Sequence, residues 1–130
     1  MKAARLMSDE GGAAAVEFAL VSTAFLAMVI GLCYIGIMLF NNMSLQWAVE
    51  KAARVAEINT AATQSDIADA VNSYLASEGL PNATVVYSSS VSGGVTSATI
   101  QASYSQSYAL PMISTFHINF SSNLTVPIAS

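Results

Sequence analysis

Residues 11–40 read GGAAAVEFALVSTAFLAMVIGLCYIGIMLF. From position 18 to position 40 no side chain carries a charge, and twelve of those 23 residues are Leu, Ile, Val or Phe. At about 1.5 Å rise per residue the run measures roughly 34 Å as a helix, enough to cross a hydrocarbon core about 30 Å thick with some tilt. A cleaved secretory signal has an apolar region of only about 7–15 residues, and no convincing A-x-A cleavage site follows Phe40. A buried core helix is the competing reading, but a chain of 130 residues has too little else to wrap one on all sides. The run therefore reads as a membrane span. One acid, Glu17, stands at its head, and the pair Gly11-Gly12 lies just before it.

Composition narrows the class. The hydrophobic fraction is 54% and the charged fraction 9%, against an ordinary charged fraction of about 25%. The four basic residues are Lys2, Arg5, Lys51 and Arg54, so residues 55–130 contain none. Net charge is −4. Nucleic acid is not expected as a partner, because binding phosphate needs a basic patch. Cys33 is the single cysteine, inside the apolar run, so no intrachain disulfide forms and it reads as a small hydrophobe. Lys and Arg number two on each side of the span, which leaves the positive-inside count tied. The long stretch without Lys or Arg fits a translocated C-terminal region and an N-terminus on the cytoplasmic side.

The helical pattern continues past the span. Leu45, Ala48, Ala52, Val55 and Ala56 recur at three- and four-residue spacing, so one long helix is expected. Trp47, just beyond the apolar run, reads as an interfacial anchor. Residues 60–64 read as a loop. A second helix then starts with Ser65 as N-cap, places Ile67, Ala70, Val71, Tyr74 and Leu75 on one face, and ends at Gly79 and Pro81. After Pro81 the period changes to two. Residues 83–88 read as a strand, Ser92-Gly93-Gly94 as a turn, and residues 95–108 as a longer strand with Ala98, Ile100, Ala102 and Tyr104 on one face. The Ser-rich segment 88–97 reads as the hairpin tip. Leu110-Pro111 breaks the second strand. A last strand alternates Ile118, Phe120, Leu124, Val126 and Ile128 with polar residues, Ser122 being the one polar residue on its apolar side, and Pro127 marks either a sheet edge or the end of pairing. The expected fold is α+β: a long N-terminal helix running into a second helix and a three-stranded antiparallel sheet. The expected divisions are a leader at 1–12, the long helix at 13–59 and an exported α+β domain at 60–130.

The chain offers little to catalysis. No metal-ligand spacing, phosphate-cradling glycine loop or nucleophile elbow occurs, and His117 is alone beside Phe116. No cofactor and no enzymatic activity are expected.

The residues around the glycines carry a more specific signal. The stretch Gly12-Ala13-Ala14-Ala15-Val16-Glu17-Phe18 resembles the processing site of type IV pilins, in which a prepilin peptidase cuts after a glycine and a glutamate stands fifth in the mature chain. A cut between Gly12 and Ala13 makes Glu17 the fifth residue. The string GAAAVEFALV and the later AVEKAARVA narrow the resemblance to the TadE-like minor pilins, or pseudopilins, of the tight-adherence (Flp, type IVc) pilus. Two features depart from that pattern. The leader ends Ser8-Asp9-Glu10-Gly11-Gly12 without arginines, and Phe18 replaces the tyrosine of the major subunits.

The resemblance implies a pilin-like fold, inner-membrane insertion before assembly, and an extracellular pilus or periplasmic location after it. It implies as partners the prepilin peptidase, other pilin subunits, the inner-membrane assembly platform and the lipid bilayer. It implies roles in adhesion and biofilm formation. It gives Glu17, with Phe18 beside it, a place in assembly and register. Thr23, Ala27 and Gly31, spaced four apart, form a small-residue stripe suited to close helix packing. Two alternatives stand beside this reading: an uncleaved single-pass protein with a periplasmic binding or scaffold domain, and a type II secretion pseudopilin.

Overall fold

The apolar run lies within one continuous helix, α1 (Glu10–Ile58). A computed structural model describes residues 10–109 and 114–128. The Leu110-Pro111 break and the first nine residues of the expected leader lie outside the described residues. Four further elements follow: α2 (Gln64–Ser77), β1 (Thr84–Ser92), β2 (Val95–Tyr108) and β3 (Phe116–Ile128). The chain divides into two units, Met1–Met38 and Leu39–Ser130.

In the first unit α1 is apolar on every side and uncovered. Phe18 is 75% exposed and Leu20 69%, and Val16, Val21 and Phe25 are likewise exposed. Mean hydropathy over the most apolar stretch of the helix is 2.3, and none of that stretch is buried within the chain. Leaving one large apolar side chain in water instead of burying it costs about 1.5–3 kcal/mol. A surface of this extent needs cover from outside the chain, and α1 is long and apolar enough to take it from a membrane.

In the second unit residues 39–58 of α1 and all of α2 form one layer and the sheet the other, the α+β arrangement expected of a pilin-like chain. The strand order is β1-β2-β3, antiparallel throughout, without a break in register from Thr84↔Ser103 to Ser92↔Val95 or from Thr96↔Ile128 to Tyr108↔Phe116. Period-two patterning sets which side is inside. Ala98, Ile100, Ala102, Tyr104 and Tyr108 of β2 are buried, and the residues between them are exposed or half-buried. Leu45, Val49, Ile67, Val71, Leu75 and Ile100 are the largest fully buried side chains. On α1 the buried positions include Leu45, Ala48, Ala52 and Ala56 at three- and four-residue spacing. The three alanines expose no surface, a run of short side chains that lets the backbones approach closely.

The starts and stops of α2 follow from capping chemistry. Its N-cap is Thr63 and not Ser65. Thr63 Oγ1 accepts from the Asp66 backbone N–H at 3.3 Å, and the Thr63 N–H donates to Asp66 Oδ2 at 2.9 Å. The aspartate one turn in from Thr63 closes this reciprocal pair, which Ser65, with Asp66 as its immediate neighbour, cannot do. The Thr63 N–H, and with it the Thr63 hydroxyl donating to Asp66 Oδ2 at 2.8 Å, hold the Asp66 carboxyl below the ordinary carboxylate range. At the other end the Leu80 N–H reaches Leu75 O at 2.9 Å and the Gly79 N–H reaches Ala76 O at 3.1 Å, with Gly79 at φ 72°. That is a Schellman stop, and it needs a residue free to enter the left-handed region.

The β1–β2 hairpin differs from the sequence reading in its tip. β1 runs to Ser92, beyond the expected end at 88, and Ser88, Ser89 and Ser90 pair with Thr99, Ala98 and Ser97. Only Gly93 and Gly94, at φ 60° and 81°, form the turn. Two successive positive-φ residues make the tight turn whose twist matches the strands, so the serines are drawn into the ladder despite modest strand propensity.

Candidate functional site at the head of the long helix

Gly12, Ala13, Glu17 and Phe18 all lie on α1. Ala13 and Glu17 are one turn apart and share a face. Ala13, Glu17 and Phe18 are all exposed.

Thr23, Ala27 and Gly31 follow on one stripe of the same helix. Thr23 Oγ1 donates to Ala19 O at 2.8 Å. Its hydroxyl is thereby satisfied inside its own helix, and the residue presents a methyl group to an apolar neighbour. A side chain added at Gly31 meets nothing within 4 Å. Nothing within the described residues therefore requires glycine there; a close neighbour would have to come from another molecule.

The second unit carries a polar cluster that the sequence reading missed. Asn41, the residue after the apolar run, is only 2% exposed. Its Nδ2 donates to Gln106 Oε1 at 3.1 Å and to Tyr108 Oη at 2.6 Å, while Tyr104 Oη donates to Asn41 O at 3.3 Å. Tyr104 also packs against Phe120, with ring centroids 5.2 Å apart. In sequence Asn41-Asn42 looks like the polar end of a span. The available signal was the tyrosine pair at Tyr104 and Tyr108, two residues on the buried face of a strand that each need a hydrogen-bond partner.

Burial, and to a lesser degree the neighbouring Tyr108, push the Tyr104 phenol up to about 12. The folded state therefore holds this proton more tightly than the unfolded chain, whose tyrosine titrates near 10. The stabilisation is complete below about pH 10 and is lost as pH rises through 12. Tyrosinate absorbance is expected to show one phenol titrating late, and Tyr104→Phe to remove that component. A wild-type titration with every phenol near pH 10 would contradict the arrangement.

Trp47 is 55% exposed and lines a shallow groove with Phe40, Met43 and Tyr74. Lys51 Nζ sits 4.2 Å above the Tyr74 ring. His117 accepts or donates at Nδ1 with Ser107 Oγ, 2.8 Å away, on the exposed side of the sheet.

The chain is thus an α+β protein with one N-terminal helix suited to a membrane span. Residues 12–54 match the model of a family described as TadE-like protein. The match covers the glycine, the glutamate, the apolar run and the helix segment that packs under the sheet. No curated protein and no solved structure matches the chain.

Proposed function

We propose that this chain is a TadE-like minor pilin or pseudopilin of a tight-adherence pilus. The observation that carries the reading is the family match over residues 12–54, whose first residue is the glycine of the candidate cut. The fold supports it: a long apolar helix is followed by a small domain able to leave the membrane with it. On this reading the protein enters the inner membrane with its N-terminus in the cytoplasm. A prepilin peptidase removes residues 1–12, and the helix passes from lipid into a bundle of subunits on the assembly platform. The protein is then structural and not enzymatic, and it serves surface adhesion and biofilm formation. Co-expression with a prepilin peptidase, followed by mass measurement of the purified chain, tests the cut. A mature form beginning at Ala13 is the expected result. An intact chain beginning at Met1 would refute processing and favour an uncleaved membrane protein with a periplasmic scaffold domain.

A further inference from the structure

The two edges of the sheet are treated differently. On the β1 side the Gln64 side chain acts as a one-residue strand. Its Nε2 donates to Val85 O at 2.6 Å, and its Oε1 accepts from the Tyr87 N–H at 2.7 Å. That covers the first half of this edge, at Val85 and Tyr87.

The same two bonds fix the state of the other edge. Because Val85 and Tyr87 direct their backbone groups outward, they are non-hydrogen-bonded positions relative to β2. Their partners Ala102 and Ile100 therefore turn their groups toward β3, where they meet Ser122 and Leu124. Alternation then sends the N–H and C=O groups of His117, Asn119, Ser121, Asn123 and Thr125 away from the sheet. Pro127 falls in the same series, so its missing N–H would have pointed outward and costs the ladder nothing. No described residue supplies a partner to the outward groups of Asn119, Ser121, Asn123 and Thr125.

Apart from Pro127 near its end, this edge also lacks the usual protection. Residues 116–128 contain no Asp, Glu, Lys or Arg. Of the side chains on its inner face only Phe120 is buried; Ile118, Leu124, Val126 and Ile128 remain half-buried. Beneath the strand a cavity of about 290 Å³ opens between Gln46 and Glu50 of α1 and residues 121–124 of β3.

We infer that the β3 edge is an acceptor for an extended segment of a different protein chain, one that alternates apolar residues and carries a single Lys or Arg directed at Glu50. Main-chain pairing along 117–125 would supply affinity, and the cavity with its one carboxylate would supply selectivity. A second copy does not fit. Its strands all lie within residues 55–130, which contain no Lys or Arg to meet Glu50. The inference does not depend on the chain being a pilin subunit.

The test uses the full chain in detergent micelles and a labelled nine-residue peptide with threonine at odd positions, lysine fourth and valine at the other even positions. Paired antiparallel with 117–125, this peptide places its lysine opposite Ser122. Saturable binding by fluorescence anisotropy is expected. N-methylation of the peptide at positions 3, 5 and 7 should weaken binding at least tenfold, whereas methylation at 4 and 6 should leave it unchanged. Ser121→Pro, a substitution of the kind Pro127 already makes, should weaken binding at least tenfold. Glu50→Gln should weaken binding of the lysine peptide but not of its all-valine counterpart. No saturable binding, or equal loss from both methylation patterns, would overturn the inference without requiring any variant to fold.

Discussion

Ile100→Ala is expected to remove about 2–5 kcal/mol from the stability of the Leu39–Ser130 unit. Ile100 is fully buried on the middle strand, opposite Tyr87 on β1 and Leu124 on β3. Its side chain points into the layer between sheet and helices, where Leu45, Val49 and Leu75 are also fully buried. The middle strand is held by ladders on both sides and cannot shift inward to fill the space. The cost therefore includes the cavity as well as the lost transfer energy. A domain of this size has about 5–15 kcal/mol in total, so the loss is a large part of it. At about 4–8 °C per kcal/mol the melting temperature should fall by at least about 8 °C. Thermal unfolding of the full chain in detergent, followed by near-ultraviolet circular dichroism, measures it. Val86→Ala, on the outer side of β1 and 53% exposed, is the control and should change little. A fall for Ile100→Ala no larger than the control's would show that the two layers do not pack as described.

That core was legible in the sequence where one period governed a whole segment. The strand at 95–108 and its inner face at Ala98, Ile100, Ala102 and Tyr104 follow from alternation alone, and the structure has the same strand. Pro127 allowed an edge position or the end of pairing, and the structure has the first: β3 lies at the edge and stays paired through Pro127. What escaped was set by partners distant in sequence. Thr63 outcompetes Ser65 because Asp66 can reach back to it. The serines at 88–90 are strand because β2 pairs with them, although their own preference is for a turn. Val49 and Ala53 are buried beside the expected positions on α1 because its buried face is wider than the stripe read from three- and four-residue spacing. Asn41 is buried because Gln106 and Tyr108, more than sixty residues later, meet its amide. Gln64 covers part of an edge that exists only once the sheet has formed. At the head of α1 the reverse holds. The glycine, the glutamate and the apolar run are visible in the sequence, but among the described residues Phe18 stays exposed and Gly31 has open space around it. Their reading depends on what surrounds the helix.

Glu17→Ala is where that dependence is tested most severely. On the proposed function, cleavage frees an ammonium group at Ala13. When helices pack into an apolar bundle, that group must be neutralised, and the carboxylate of Glu17 on a neighbouring subunit is the partner available at the right depth. Breaking a buried ion pair by removing one member costs about 3–5 kcal/mol, because the other charge is left without compensation. At about 1.4 kcal/mol per tenfold, that lowers the share of subunits entering the filament by roughly two to three and a half orders of magnitude. Insertion into lipid should be unaffected or slightly favoured, since a carboxylate at the edge of the span is removed. The expected result is therefore a split: normal amounts of processed Glu17→Ala protein in the membrane fraction, and almost none in sheared pili or under immunogold. Glu17→Gln should behave the same way, because it keeps the size and the hydrogen-bonding capacity but not the charge. Ordinary incorporation of either variant would remove Glu17 from the assembly mechanism. Loss of the protein from the membrane as well would place its role in insertion or stability instead.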